Sequence, residues 1–355
     1  MLIQEIIEHL NNQAHFLLAD YRKEEALVLM ERVYDFLGIR IGRPRQDVPI
    51  ESYLLSICNH IACLMNNNLL YEVERDFGRF ERIVVGKYVS EELLFHYQYY
   101  KVEYYFRRGY YILAMEQSRL LEKYAVNDQQ QFCMLLQRGE IENADRNIFA
   151  LFSVNSVSKA LSIAEKMHDA YSIGLAYSEL SEMFTFYYPS LAFNFAKKSE
   201  LEFARNGFKQ KANEQEVSLA NALIIKYLKD PQHSECFKKD AKRKISLVDK
   251  SKIRSVQHLA NYDYVYGLVY DNIDSLLSAA NFYKKLGSHG GFCQVMDRII
   301  HLRLRRKEYR QAETDIHDYL VSARKMNRKD ITTVEDHYKN LKDKIHDAMV
   351  KDKKN

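Results

Sequence analysis

The side chains that come closest to a catalytic arrangement are Asp297 and His301, a carboxylate and an imidazole at helical i, i+4 spacing. Such a pair can exchange a proton, which is the basis of general acid–base catalysis. The same spacing is typical of an ordinary ion pair on a helix surface, and this interpretation is favoured. The chain has no HExxH or GxSxG motif, and no GxxxxGK[ST] or GxGxxG precedes a helical pattern. The sequence therefore predicts a binding protein and not an enzyme.

Two basic stretches point to a second kind of chemistry, contact with phosphates or with an acidic protein surface. Residues 238–254 contain eight Lys or Arg against two Asp, and residues 303–310 are also rich in arginine. The loop RIGRPR at 40–45 has arginines around a Gly-Arg-Pro core, as minor-groove hooks do. Runs of this kind are more often solvated helix faces, so direct DNA binding is kept as an alternative.

The elements that carry these residues are predicted to be helices. The 355 residues include only 4 Pro and 12 Gly, too few turn formers for a protein with many strands. A hydrophobic content of 47% and a charged content of 28% fit a globular chain that buries a core. The net charge of +4 is too balanced to imply nucleic acid by itself.

Other composition features exclude a membrane protein, a disulfide framework and a metal site. No apolar run reaches the ~18 residues of a membrane span, and the N-terminus MLIQEIIEHL lacks the basic region of a signal peptide, which predicts a cytoplasmic protein. The five cysteines show no CxxC spacing. We expect them to be small buried residues, and we expect no cofactor.

Repeats of about 34 residues run through the chain, each with a turn, a small residue and an apolar stripe at helical spacing. They predict an all-α fold, a TPR-like α-solenoid forming a right-handed superhelix of about eight helix pairs, with a C-terminal capping or dimerisation helix. The predicted domains are an N-terminal helix pair and loop (1–50), a repeat domain (51–328) and a C-terminal helix with a charged tail (329–355). The small residues that mark the second helices are Ala26, Ala114, Ala160, Ala192, Ala279 and Ala312.

The first helix of each pair is expected to line the concave inner face of such a stack. That face should be polar and aromatic with both signs of charge, which suits an extended peptide or a helix as ligand. The inner positions predicted from the repeat register are Tyr99, Glu103, Arg107, Tyr177, Ser181, Asn221, Tyr264, Asp271, Asp297, His301 and Arg305.

The order of three segments resembles the peptide-binding repeats of a known receptor class. The segments are LLFHYQYYKVEYYFRRGYYILAMEQSRLLEKY, NSVSKALSIAEKMHDAYSIGLAYSELSEMFTFYYPSLAFNFAKKSE and ANYDYVYGLVYDNIDSLLSAANFYKKLG. They are similar to the arbitrium receptors of Bacillus phages and, more distantly, to the Rap quorum-sensing regulators. The resemblance covers about residues 90–330 and rests on repeat pattern and short apolar strings.

This resemblance implies a cytosolic receptor that binds a short signalling peptide in its groove and thereby controls DNA or a protein partner. It implies regulation of the phage lysis–lysogeny or quorum-sensing type and a homodimer formed through the C-terminal helices. It also places Glu182 at a position where the receptors have a groove asparagine. Residues 1–38 already form a repeat pair instead of the receptors' helix-turn-helix domain, so a protein partner is favoured over DNA.

The sequence thus predicts a non-enzymatic receptor for a peptide or protein segment. Two alternatives remain: an interaction scaffold without a small ligand, and a DNA-binding transcriptional regulator that uses its basic helices.

Overall fold

The computed structural model describes residues 3–40, 45, 47–144, 150–232, 234–253, 255–325 and 331–352. These ranges contain seventeen α-helices, two short 3₁₀ helices and no strand. None of the helices in them has the length and apolar character needed to cross a bilayer. The predicted all-α, helical-repeat fold is confirmed.

The helices follow one another as eight consecutive pairs and one last helix. The first four pairs are α1 (Ile3–Ala19) and α2 (Lys23–Leu37), α3 (Ile50–Asn66) and α4 (Leu70–Val84), α5 (Glu91–Arg107) and α6 (Tyr111–Leu121), and α7 (Asp128–Ala144) and α8 (Ala150–Met167). The next four are α9 (Ala170–Phe184) and α10 (Pro189–Arg205), α11 (Lys209–Lys229) and α12 (Glu235–Leu247), α13 (Val256–Tyr270) and α14 (Ile273–Lys285), and α15 (His289–Arg305) and α16 (Tyr309–Lys325), followed by α17 (Ile331–Asp352).

Small residues allow the two helices of a pair to approach each other closely. The six alanines that mark the repeats all lie on second helices, and each is completely buried. Close approach is also required at Gly174 of α9, where an added Cβ would lie 2.5 Å from the ring of Phe203 of α10. The Ser199 hydroxyl donates to the Gly174 carbonyl at 2.7 Å, so one polar contact fixes the same crossing.

The reversals between helices use left-handed backbone conformations and side-chain caps. Asp271 ends α13 with φ of 52°, and the side chain of Asn272 then accepts a hydrogen bond from the Ser275 N–H to begin α14. Gly287, with φ of 68°, separates α14 from α15, so the GSHGG segment is a turn followed by the start of a helix. Helix α11 ends at Lys229, directly before the Asp230-Pro231 dipeptide that interrupts helical structure.

The chain divides into two compact units, unit 1 (1–106 and 112–134) and unit 2 (107–111 and 135–355). The core of unit 1 is built mainly by α1 to α5, and α3 is buried over most of its surface. The core of unit 2 includes a continuous cluster from α11 to α17.

Some sequence expectations fall outside the described residues or need correction. Residues 41–44 of the RIGRPR loop, Arg254 of the basic stretch and the segments 326–330 and 353–355 lie outside the described ranges. All five cysteines are free thiols, and Cys58, Cys63 and Cys293 are buried as expected. The expectation is wrong for Cys236, which is exposed because it lies in the first turn of α12, on the side away from the core.

Candidate functional site

The residues predicted to line an inner face lie on first helices of the pairs, with one exception. Unit 1 carries Tyr99 and Glu103 on α5, and both are partly buried. The Tyr99 ring lies 6.1 Å from the ring of Phe95 on the same helix. The exception is Asp271, which follows α13 in the turn. The others in unit 2 are Arg107 of α5, Tyr177, Ser181 and Glu182 of α9, Asn221 of α11, Tyr264 of α13, and Asp297, His301 and Arg305 of α15.

On α9, two of the predicted residues contact the second helix of their own pair. The Ser181 hydroxyl is buried and donates to the Ala192 carbonyl of α10 at 2.9 Å. The Tyr177 ring stacks 6.1 Å from the ring of Phe195, and the Lys198 amine lies 5.1 Å from the Tyr177 ring. This face of α9 therefore packs on α10.

The next face of α9 carries two carboxylates that interact with each other and with a third. Glu179 and Glu182 are one turn apart, and their neighbour Glu140 comes from α7. We call these three residues the acidic recess. Desolvation raises the pKa of Glu179 well above its usual value, and the negative charges of Glu140 and Glu182 raise it further. The positive charge of Lys211 on α11 acts in the opposite direction but does not cancel these effects. The recess is therefore poorly hydrated.

Glu182 shows that solvent still reaches the recess. Its side chain is exposed, yet the protein around it desolvates the carboxylate enough to raise its pKa. Its charge also acts on Tyr283 of α14, where burial is the main reason for a raised pKa. The Tyr283 hydroxyl in turn donates to the amide oxygen of Asn261 on α13. The charge of a ligand would be felt more strongly beside such a partly desolvated carboxylate than in open water.

Helix α11 places a mixed polar row beside the acidic recess. The Lys211 amine lies 3.1 Å from the Glu214 carboxylate, and Nε2 of His258 on α13 lies 3.4 Å from the same carboxylate. The Gln215 amide donates to the Ser178 hydroxyl of α9 at 3.0 Å. Burial lowers the pKa of His258, although Glu214 acts in the opposite direction. Helices α9, α11 and α13 are thus joined by polar side chains along one surface.

Four polar side-chain atoms of α11 and α13 are buried and have no hydrogen-bond partner among the described residues. An unpaired buried polar atom costs about 1–3 kcal/mol, so such atoms are rare in stable interiors. Here two amide oxygens, one ring nitrogen and one hydroxyl lie on two neighbouring helices. A peptide backbone offers both N–H donors and C=O acceptors, and this set of atoms contains possible partners for both. The atoms are Gln215 Oε1, Asn221 Oδ1, His258 Nδ1 and Tyr264 OH.

The remaining predicted residues of unit 2 lie outside this row. Asp297 accepts a hydrogen bond from the Tyr338 hydroxyl of α17 at 2.9 Å and lies 3.5 Å from His301. The Asp271 carboxylate lies 3.1 Å from the amine of Lys238, and Arg305 is exposed. No group of three or more His, Cys, Asp or Glu among the described residues is arranged to hold a metal ion.

Sequence reasoning missed Glu140, Glu179, Lys211, Gln215 and His258. A signal for part of this set was present, because Glu179 and Glu182 are the only charges in the otherwise apolar or neutral α9 sequence AYSIGLAYSELSEMF. Two acids on one face of such a helix indicate a polar surface there. Nothing local indicated that Glu140 or His258 would join them.

Comparison with known proteins identifies the fold. No family model matches the chain, and no curated protein matches it. Among solved structures, a Rap protein complexed with competence and sporulation factor is similar, with a TM-score of 0.53 and 14% identity over 97% of this chain and 99% of that one. The apo form of RapI has a TM-score of 0.53 and 12% identity, over 98% of this chain and 99% of that one.

A third similar structure is that of phAimR with its ligand, with a TM-score of 0.43 and 12% identity over 82% of this chain and 87% of that one. At these identities, the likeness to the two Rap chains shows a common helical-repeat fold. The resemblance predicted from the sequence is therefore confirmed at the level of the fold.

Proposed function

We propose that this chain is a non-enzymatic cytoplasmic regulator that binds a short peptide, or an extended segment of a protein, on the polar surface of α9, α11 and α13. The observation that carries the proposal is the acidic recess next to buried polar atoms without partners, Gln215 Oε1 and Tyr264 OH among them. The Rap protein of similar fold was solved with a bound factor, competence and sporulation factor, which is consistent with the proposal.

The chemistry of the surface defines the class of ligand. A cationic side chain or a free amino terminus placed among Glu140, Glu179 and Glu182 would pair with carboxylates that are already partly desolvated. Hydrogen bonds to charged groups contribute more than those between neutral groups, roughly 1.5–3 kcal/mol. The amide and hydroxyl atoms of Gln215, Asn221 and Tyr264 are buried in this structure, so binding of the ligand's backbone to them requires that these side chains turn outward.

The regulatory consequence follows from the architecture of stacked helix pairs. A ligand that contacts α9, α11 and α13 together binds best to one spacing of these helices, so it shifts the population toward that spacing. The affinity for a partner protein that binds the surface of the stacked helices would then rise or fall. We propose control of this kind, as in quorum-sensing or lysis–lysogeny decisions, with a protein as the controlled partner.

The test is thermal unfolding of the full chain with short synthetic peptides encoded by small open reading frames beside its gene. Each peptide is used in two forms, one with arginine and one with the neutral isostere citrulline. At about 100 times its dissociation constant, a true ligand adds about 2.7 kcal/mol of stability. We expect the arginine form to raise Tm more than the citrulline form.

Variants identify where the peptide binds. We expect Glu182→Gln to weaken binding of the arginine form and to leave binding of the citrulline form nearly unchanged. The matched control is Glu165→Gln, which removes an exposed carboxylate on α8. If no peptide raises Tm, the receptor proposal is wrong and a scaffold without a small ligand is favoured. If Glu182→Gln and Glu165→Gln bind the arginine peptide equally well, the ligand lies elsewhere.

A further inference from the structure

Two basic stretches that are far apart in the sequence meet at the turn between α13 and α14. The Lys238 amine of α12 lies 3.1 Å from the Asp271 carboxylate. From the other side, the Arg306 guanidinium donates to the Asp271 carbonyl at 2.7 Å. The turn thus joins α12 to the turn between α15 and α16. We call the following residues the basic edge: Lys238, Lys239, Lys242, Arg243, Arg305, Arg306, Lys307 and Arg310.

Most cations of this edge are not neutralised by neighbouring acids. Lys238 is paired with Asp271, and Arg243 lies 3.5 Å from Asp240. No ion pair with a described residue accompanies the exposed cations of the edge, which are Lys239, Lys242, Arg305, Lys307 and Arg310. An unpaired cluster of one sign raises the free energy of the folded chain slightly and attracts a partner of the opposite sign.

The position of one of these cations does not favour helix stability. Helix α16 begins at Tyr309 and has no acidic residue in its first turn, which instead contains Arg310. The N-terminus of a helix carries a partial positive charge, so a cation there is unfavourable by a few tenths of a kcal/mol or more. Stabilisation of α16 therefore does not explain why residue 310 is cationic, whereas Arg305 and Lys307 lie at the C-terminal end of α15, where cations are favourable.

A cavity with an aromatic wall lies within the basic edge. Its volume is about 510 Å³, and its wall includes Tyr270, Ile273, Leu277, Arg303 and Arg306. The Tyr270 side chain is 41% exposed, with the Tyr266 ring 4.5 Å away. Exposed tyrosine and arginine around a concavity are the residue types that contribute most to protein–protein binding. The volume of the cavity lies in the range of ligand-binding clefts, so it has ample room for a large side chain.

The acids around the cavity distinguish between two kinds of anionic partner. Asp271, Asp274 and Glu308 line it together with the arginines. Their charges repel any anion inside the cavity, and the backbone of a nucleic acid carries a phosphate at every nucleotide. A protein segment can instead place its carboxylates on the cations of the rim and an apolar side chain against Tyr270, Ile273 and Leu277. We propose that the basic edge binds an acidic segment of a partner protein, with one apolar side chain in the cavity.

The proposal is tested by fluorescence anisotropy with the full chain and a labelled synthetic peptide of Glu and Asp with a central leucine. A counterpart with Gln and Asn is the neutral probe, and a single-stranded oligonucleotide of mixed sequence is the phosphate probe. We expect the acidic peptide to bind, the neutral peptide to bind about tenfold more weakly or not at all, and added salt to weaken binding.

Charge-reversal variants locate the binding surface. The double variant Arg305→Glu, Lys307→Glu should weaken binding of the acidic peptide about tenfold. The matched control Lys284→Glu, Lys285→Glu changes the same number of charges at the opposite end of α14 and should bind as the unchanged chain does. Circular dichroism establishes that each variant is folded.

Three outcomes would overturn the proposal. One is no binding of the acidic peptide even at low salt. The second is an equal loss of binding in the two double variants, which would mean attraction by net charge alone. The third is that the oligonucleotide binds more tightly than the acidic peptide and that the Arg305→Glu, Lys307→Glu variant loses this oligonucleotide binding. That result would show that the basic edge binds nucleic acid.

Discussion

Glu179 lies in the acidic recess, where desolvation and the charges of Glu140 and Glu182 raise the pKa of its carboxyl group. A carboxyl group whose pKa is higher in the folded chain than in the unfolded chain binds its proton more tightly when folded. It therefore favours the folded state at low pH, and this contribution is lost as the pH rises from about 4.5 through the raised pKa. At neutral pH, the negative charge of the Glu179 carboxylate in the acidic recess lowers the stability of the folded chain.

From this we predict that Glu179→Gln raises Tm, because it removes the charge and keeps the shape. The gain should be largest at pH 8 and should shrink as the pH falls toward 4.5. Each kcal/mol corresponds to roughly 2–4 °C in a unit of this size. Thermal scans across this pH range measure the effect. The control Glu165→Gln should show no such pH dependence. An equal gain in Tm for Glu179→Gln at pH 5 and at pH 8 would contradict a raised pKa of Glu179.

At the scale of elements, the crossing of α9 and α10 determines which side of α9 remains available. The Gly174 backbone lies directly under the Phe203 ring, and Ser199 and Ser181 each donate a hydrogen bond across the pair. These contacts fix the rotation of α9 about its own axis. Glu179 and Glu182 are therefore held on the side that faces the recess.

We predict that Gly174→Ala lowers the free energy of unfolding by about 1–3 kcal/mol, because the new Cβ would lie 2.5 Å from the buried Phe203 ring. The matched control is Gly78→Ala in α4, where nothing lies within 4 Å of an added Cβ. There the better helix propensity of alanine should stabilise by about 0.5–1 kcal/mol. Urea denaturation measures both, and a stabilised Gly174→Ala variant would show that the crossing is not tight.

At the scale of the whole molecule, the last helix ends the array of pairs. In α17, Tyr338 is buried against Tyr319 of α16, with 4.3 Å between the ring centroids, and its hydroxyl donates to Asp297 of α15. Ile345 is buried about two turns further along α17. These contacts lie within one chain, so Tyr338 and Ile345 of this helix cover apolar surface of the last pair.

We predict that Tyr338→Ala destabilises the chain by about 3 kcal/mol, because a buried ring and its hydrogen bond are both lost. The matched control Lys339→Ala alters the exposed neighbour and should change stability by less than about 0.5 kcal/mol. Light scattering of both variants reports the oligomeric state. A Tyr338→Ala chain with unchanged stability but altered size would assign α17 to dimerisation instead.

The repeat pattern by itself determined the all-α class, the pairing of helices and the position of the alanines at the crossings. These features are local, because a small residue followed by an apolar stripe recurs at the repeat period and needs no knowledge of distant residues. The scarcity of proline and glycine pointed the same way.

Only the tertiary structure decided which side chains meet. One residue along a helix is a rotation of about 100°, so Ser181 packs on α10 while its neighbour Glu182 reaches the recess. Glu140 and Glu179, like Lys238 and Arg306, come together from separate pairs through the stacking of helices. Burial and the fields of neighbouring charges arise from that stacking, so the recess and the basic edge are properties of the folded chain.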